Sequence, residues 1–152
     1  MKIINYESKY QQEYKSLSLE WLYENNLYED VDGEMLDNPK KEVLDKGGFI
    51  YLAKIGDQIV GTVTILPVEE RVFEILKLGV SKNHQGLGIG RKLMEFCIEK
   101  AKLLNAEKII LETNTKLKSA IRLYSKLGFK EVVHLNTKYE MSDFKMELLL
   151  AK

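Results

Sequence analysis

Three glycines at alternate positions, Gly86, Gly88 and Gly90, stand between an apolar run and a helical pattern. Without a Cβ, residues crowded at the mouth of a helix let backbone N–H groups approach a ligand unobstructed. The first turn of the helix adds unsatisfied donors and partial positive charge, so Gln85 to Arg91 reads as an anion site suited to a phosphate or pyrophosphate. A bare strand-to-helix connection needs only one such glycine. Glu74 offers a second kind of chemistry. It is a carboxylate inside a mostly apolar run, where desolvation pushes a carboxylate pKa upward toward useful basicity; the alternative is a Glu74 paired with Lys77 or Arg71. Tyr124 shares a helix face with Ala120, Leu123 and Leu127, and is either a core tyrosine or a phenol presented to a site.

A strand, a turn and a helix must hold these groups. Phe73 to Val80 is a bounded apolar run that suits a buried strand. Gly90, Leu93, Met94, Cys97, Ile98, Ala101 and Leu104 recur at three- and four-residue steps, which predicts a helix over 91–104. Earlier, Lys2 to Tyr6 reads as a strand. Ser8 and Gln11 form an S-x-x-Q capping box ahead of a helix marked by Tyr10, Tyr14, Leu17 and Trp21. A short second helix is expected between Leu27 and Asn38, ended by Asn38-Pro39, and then a polar connection over 40–46. Gly48 to Ile55 and Gln58 to Leu66 form a hairpin about Gly56-Asp57, and residues 67–71 turn the chain. Lys108 to Glu112 is a further strand, and the last helix starts at Thr115 or Lys116. Gly128 ends that helix in the left-handed conformation, with Phe129 folding back. Strands over 130–135 and 143–150 close the order β-α-α-β-β-β-α-β-α-β-β, a mixed α/β sheet in one domain, 1–152.

The chain is long enough for one domain with a substantial core. Lys+Arg and Asp+Glu are both 23, and this neutral total gives no support for nonspecific nucleic-acid or membrane binding. No apolar run approaches a membrane span, and the opening residues turn polar too soon for a secretory signal. With Cys97 as the single cysteine no intrachain disulfide forms, and the expectation is a cytoplasmic protein. Cys97 itself falls on the apolar helix stripe. His84 and His134 show no ligand spacing, so no metal site is expected.

Among phosphate loops, a P-loop requires Lys-Ser/Thr after the glycines, where this chain has Arg91-Lys92-Leu93. A dinucleotide fingerprint fits Gly86 and Gly88, with Glu112 near the acidic position, but places Arg91 where a small residue must pack. Gln85-Gly86-Leu87-Gly88-Ile89-Gly90 resembles the Q/R-x-x-G-x-G/A signature of the GNAT N-acetyltransferase superfamily. Leu78-Gly79-Val80 is similar to the end of that family's central strand. Ala120-Ile121-Arg122-Leu123-Tyr124-Ser125-Lys126-Leu127-Gly128-Phe129 resembles its A-x-x-L-Y-x-x-x-G-F motif. The firm likeness covers residues 73–129.

The resemblance implies a GNAT fold, with a central sheet splayed at a cofactor cleft and helices on both faces. It implies acetyl-CoA as co-substrate, the pyrophosphate on the backbone of Gln85, Gly86, Leu87, Gly88, Ile89, Gly90 and Arg91, and pantetheine along Leu78, Gly79 and Val80. Leu87 and Ile89 are expected to face the core. Tyr124 becomes the acid that protonates the leaving thiolate, and Glu74 the base that deprotonates the acceptor amine. Asn114 and Ser119 are further candidates for cofactor contact, and His84 for a proton relay. Trp21, Tyr23, Tyr28, Tyr139, Glu29, Asp30, Asp32 and Glu34 are candidates to hold a cationic acceptor. The expected partners are a small-molecule or peptide amine and, compatible with the sequence, a second copy of the chain as a homodimer. A noncatalytic CoA-binding module is the alternative from another class, and an NAD-type nucleotide-binding protein is a third reading.

Overall fold

The computed structural model describes residues 1–134 and 139–150. Its strands are β1 (Lys2–Asn5), β2 (Phe49–Ile55), β3 (Gln58–Glu69), β4 (Val72–Val80), β5 (Lys108–Thr113), β6 (Lys130–Val132) and β7 (Phe144–Leu149). The helices are α1 (Gln11–Glu24), α2 (Asp30–Asp37), α3 (Pro39–Glu42), α4 (Ile89–Leu103) and α5 (Lys118–Lys126). One sheet in the order β1-β2-β3-β4-β5-β7-β6 runs through the molecule, antiparallel except where β4 meets β5.

Period-two alternation divides the core into two layers. On β2, Tyr51 and Ala53 join Leu93, Met94, Cys97 and Ala101 of α4. Ile50 and Leu52, pointing the other way, join Tyr14 and Leu17 of α1 and Leu36 of α2. Burying each large aliphatic side chain contributes about 1.5–3 kcal/mol. The α4 layer needs Gly61 on β3. A Cβ there would lie 3.0 Å from Leu93 Cδ1 and 3.1 Å from Ile89 Cγ2. This close approach brings the start of α4 against the sheet, below the glycine-rich turn.

Local signals fail where distant side chains compete for the same groups. Ser8 to Tyr10 form a 3-10 turn, and the expected Ser8/Gln11 capping box does not form. Gln11 Nε2 instead donates to the Leu36 carbonyl at 3.0 Å, tying α1 to the end of α2. A capping arrangement occurs at α2, where the Glu29 N–H donates to Asp32 Oδ2 at 2.9 Å. Helix α5 begins at Lys118, later than 115 or 116. The Thr115 N–H and hydroxyl donate to the Asp143 carboxylate at 2.8 and 3.0 Å, and Asn114 Oδ1 accepts the Lys116 N–H, so those groups are diverted from a helix. Strand β3 continues through Pro67 to Glu69, leaving only Glu70 and Arg71 in the turn. Pro67 is tolerated beside an irregularity in the β3–β4 register. The predicted strand over 130–135 ends at Val132, and its last residue, Leu135, lies outside the described residues.

Gly128 has φ +102°, as the end of α5 requires. Phe129 N–H donates to the Tyr124 carbonyl at 3.0 Å and Gly128 N–H to the Ser125 carbonyl at 3.1 Å, the paired bonds of a Schellman motif. The turn therefore anchors the backbone of Tyr124 itself.

Candidate functional site

Strands β4 and β5 pair in parallel only at Val72–Lys108, Phe73–Ile109 and Glu74–Ile110. Beyond Glu74 they diverge. Against β3, the register also shifts: Thr64 faces Leu76, while Thr62 faces Gly79. The extra residue is accommodated at Lys77, whose φ is +57°. The bulge bends the last part of β4 and turns Lys77 inward. Two cavities flank this opening.

The larger, about 490 Å³, reaches from Leu78, Gly79 and Val80 to Gly86, Gly88, Gly90 and Arg91, and is closed by Ser119 and Leu123 of α5. Gly86 and Gly88 both have φ +80°, and a Cβ on either would meet nothing within 4 Å. The turn thus offers bare backbone to the cleft. Gly88 caps α4 without a side-chain partner, so the first N–H groups of the helix are left for a ligand. Gln85 Nε2 donates back to the Val80 carbonyl at 3.3 Å, and Arg91 is held near Glu95 at 3.3 Å. Ile89 is buried as expected, but Leu87 is 65% exposed. The left-handed glycines on either side of Leu87 turn its side chain toward solvent rather than the core. Lys116 and Lys118 also line this cleft, as do Trp21 and Asn25. Sequence reasoning passed over both lysines. Their place at the start of a helix is the available signal.

The smaller cavity, about 120 Å³, lies on the other side of Tyr124 and is lined mainly by apolar side chains. Its walls include Leu22, Leu27, Ile75, Leu111 and Leu117, with Glu29, Asp32, Glu74 and Glu112 as the carboxylates. Glu74 is 7% exposed and sits where β4 leaves β5. Lys77 forms a buried ion pair with Asp32, and its Nζ lies 4.9 Å from the centre of the Tyr139 ring. Burial, followed by the charges of Glu74, Asp32, Glu112 and Glu29, raises the Tyr139 pKa. Glu29 accepts the backbone N–H groups of Glu140 and Met141 at 2.8 and 3.1 Å, drawing the turn before β7 over the cavity. Asn114 lies in this second wall. Its Nδ2 donates to the Met141 carbonyl at 2.7 Å, which commits the side chain to the fold rather than to the cleft beyond Tyr124.

Tyr124, Leu78, Trp21 and Leu117 belong to both cavities. Tyr124 is 8% exposed, and burial pushes its pKa up to about 12. Its phenol stays protonated through the physiological range. His84 lines the glycine-loop cavity and not Glu74's, with Nδ1 3.3 Å from Ser81 Oγ. Cys97 is fully buried in the α4 layer, and burial raises its pKa. No group of three or more metal-ligating side chains occurs among the described residues, and no described helix is long and apolar enough to cross a membrane.

Residues 10–129 match the family model described as Acetyltransferase (GNAT) family. The chain belongs to this family. N-acetyltransferase 8B of Rattus norvegicus is 31% identical over 114 residues, which are 72% of this chain and 51% of that protein. YvbK of Bacillus subtilis, an uncharacterized N-acetyltransferase, is 31% identical over 112 residues, 68% of this chain and 72% of the relative. The chain spans about half the length of the first of these. A GNAT-family acetyltransferase from Staphylococcus aureus Mu50 superposes with a TM-score of 0.89 at 28% identity, covering 99% of both chains. A Bacillus subtilis acetyltransferase solved in complex with CoA has the same fold, at a TM-score of 0.75 and 23% identity over 99% of each chain. The mixed sheet with its splayed β4–β5 pair is thus that of a GNAT fold, as the sequence resemblance implies.

Proposed function

We propose that this GNAT protein transfers an acetyl group from acetyl-CoA to the amine of a small molecule or peptide, with both substrates bound together. One observation carries the reading. A cleft with a glycine-rich anion site and a carboxylate-lined cavity meet at Tyr124. The first suits acetyl-CoA: bare backbone at Gly86 and Gly88 for the pyrophosphate, Arg91, Lys116 and Lys118 for its charge, and the strand edge at Leu78–Val80 for the pantetheine amides. The related acetyltransferase solved with CoA supports the same choice. Acetyl-CoA supplies the activated acyl carbon.

The second cavity suits the acceptor. Glu29, Asp32, Glu74 and Glu112 face one ammonium, Lys77, among the described residues, so a cationic amine is favoured over an anionic one. An ammonium is not a nucleophile, and Glu74 is placed to take its proton. Burial pushes the Tyr124 pKa up to about 12, so the phenol holds its proton until a partner develops to receive it. At the junction of the two cavities, the phenol serves as the acid toward the departing sulfur, donating as negative charge develops there. With Cys97 buried in the α4 layer, this sole cysteine offers no nucleophile for an acyl-enzyme.

The test is thiol release from acetyl-CoA in the presence of pooled amines and peptides, with mass analysis of the acceptor. A gain of one acetyl group on an amine supports the proposal. Cofactor binding without any acetylated product points to a noncatalytic CoA-binding module.

A further inference from the structure

Glu112 lies two residues beyond Ile110, the last partner of Glu74, and so projects from the same face of the splayed strands as Glu74. Both carboxylates line the smaller cavity. Glu112, however, is connected outward. Ser142 Oγ donates to its Oε1 at 3.1 Å, His134 Nε2 lies 3.2 Å from the same oxygen, and His134 Nε2 is 2.8 Å from Ser142 Oγ. The His134 side chain is 22% exposed and that of Glu112 is 16% exposed. An inner carboxylate, a hydroxyl and an outer imidazole thus form one hydrogen-bonded path from the cavity wall to solvent.

We propose that Glu112, Ser142 and His134 carry the acceptor's proton out of the cavity, an inference that rests on the acetyltransferase reading. The acceptor ammonium N–H bond breaks and its proton goes to the Glu74 carboxylate. The proton crosses the cavity on water to Glu112 and passes from Oε1 to His134 Nε2, with Ser142 Oγ bridging the two, and the imidazolium then releases its Nδ1 proton to solvent. Each carboxylate returns to its anionic form and the imidazole to its neutral form, so no charge accumulates over a turnover. A cavity of about 120 Å³ has room for a few waters, which link Glu74 to the Glu112 carboxylate on the same wall, and the path through protein side chains begins at Glu112. The charged and titratable groups around the path include Glu74, Glu29, Asp32 and the Asp32-paired Lys77 in the cavity, Tyr139 and Glu140 on the adjoining turn, and Lys145, directly across from Glu112 on β7. Glu112 and His134 act through Glu74 and are positioning and relay residues.

His134→Gln retains an N–H donor for Ser142 and Glu112 but cannot accept and release a proton. The expected result is a fall of roughly tenfold in kcat, below that of a direct general acid or base, with the KM for acetyl-CoA unchanged. Added imidazole buffer should restore kcat in a concentration-dependent manner. Glu112→Gln should lower kcat similarly, and the double variant should lose no more than the more impaired single, because both interrupt one path. A wild-type kcat in His134→Gln, with chemistry rate-limiting, overturns the relay. So do losses that imidazole leaves untouched or that multiply in the double variant. These results leave the acetyltransferase reading intact, whereas a wild-type protein that acetylates no amine removes both.

Discussion

Glu74 lies opposite Ile110 at the last rung of the parallel β4–β5 ladder, so the buried carboxylate marks the point at which the sheet opens. One strand therefore presents, within a few residues, a carboxylate, an inward-turned lysine and the backbone edge of Leu78 to Val80. Glu74→Gln keeps the shape of this vertex and removes its basicity. Turnover should fall most at acidic pH, where the acceptor amine is most protonated, and CoA affinity should hold. A pH–rate profile matching the wild type assigns the base elsewhere.

Tyr124→Phe keeps the packing of the ring and removes the phenolic donor. A fall in kcat of ~10²-fold is expected, with acetyl-CoA affinity steady, as for an interaction made mainly in the transition state. Single-turnover rates measure it. A wild-type rate with chemistry limiting makes Tyr124 a core residue only.

Gly88→Val forces a β-branched residue into φ +80°, although the space around its Cβ is open. Backbone strain rather than a clash should distort the donor turn. Acetyl-CoA at about a hundred times its dissociation constant should stabilise the wild type by roughly 2.7 kcal/mol. Thermal shift should find this gain absent in the variant, and little gain from NAD or ATP in the wild type.

Asp32→Ala removes a charge opposite Lys77 within a nearly dry ion pair, together with the acceptor for the Glu29 N–H. Breaking such a pair on one side costs about 3–5 kcal/mol. Denaturant unfolding should show a loss of that order, while an effect within ~0.5 kcal/mol would mean that the pair contributes little to the fold.

Alkali should destabilise the protein. Burial raises the pKa of Tyr14 and Tyr139 and pushes Tyr51 and Tyr124 up to about 12. A tyrosine whose folded pKa exceeds its unfolded value of about 10 contributes stability that is full below pH 10 and is lost as pH rises through the folded value. The melting temperature should decline from about pH 10 toward 12, with tyrosinate absorbance appearing on unfolding. A flat profile over that window contradicts this assignment.

The glycine turn, the α4 stripe and the Gly128 terminus were legible in sequence because each is decided within a turn or two of chain. Leu87 was misjudged because alternation fails where Gly86 and Gly88 turn left-handed. The Ser8/Gln11 box was lost to Leu36, a partner 25 residues away, while Asp32 took the capping role at α2. The inward turn of Lys77 follows from a bulge that apolar periodicity does not reveal. Nor does spacing show that Glu112, His134 and Ser142 meet, since their contact depends on β5 and β7 lying side by side.

The central claim is that acyl donor and acceptor occupy the two joined cavities at once and react directly at Tyr124. Initial rates with acetyl-CoA and an accepted amine both varied test it most directly. The account predicts intersecting double-reciprocal lines, the pattern of a ternary complex. Parallel lines, with acetyl remaining on the protein after CoA departs, would contradict it.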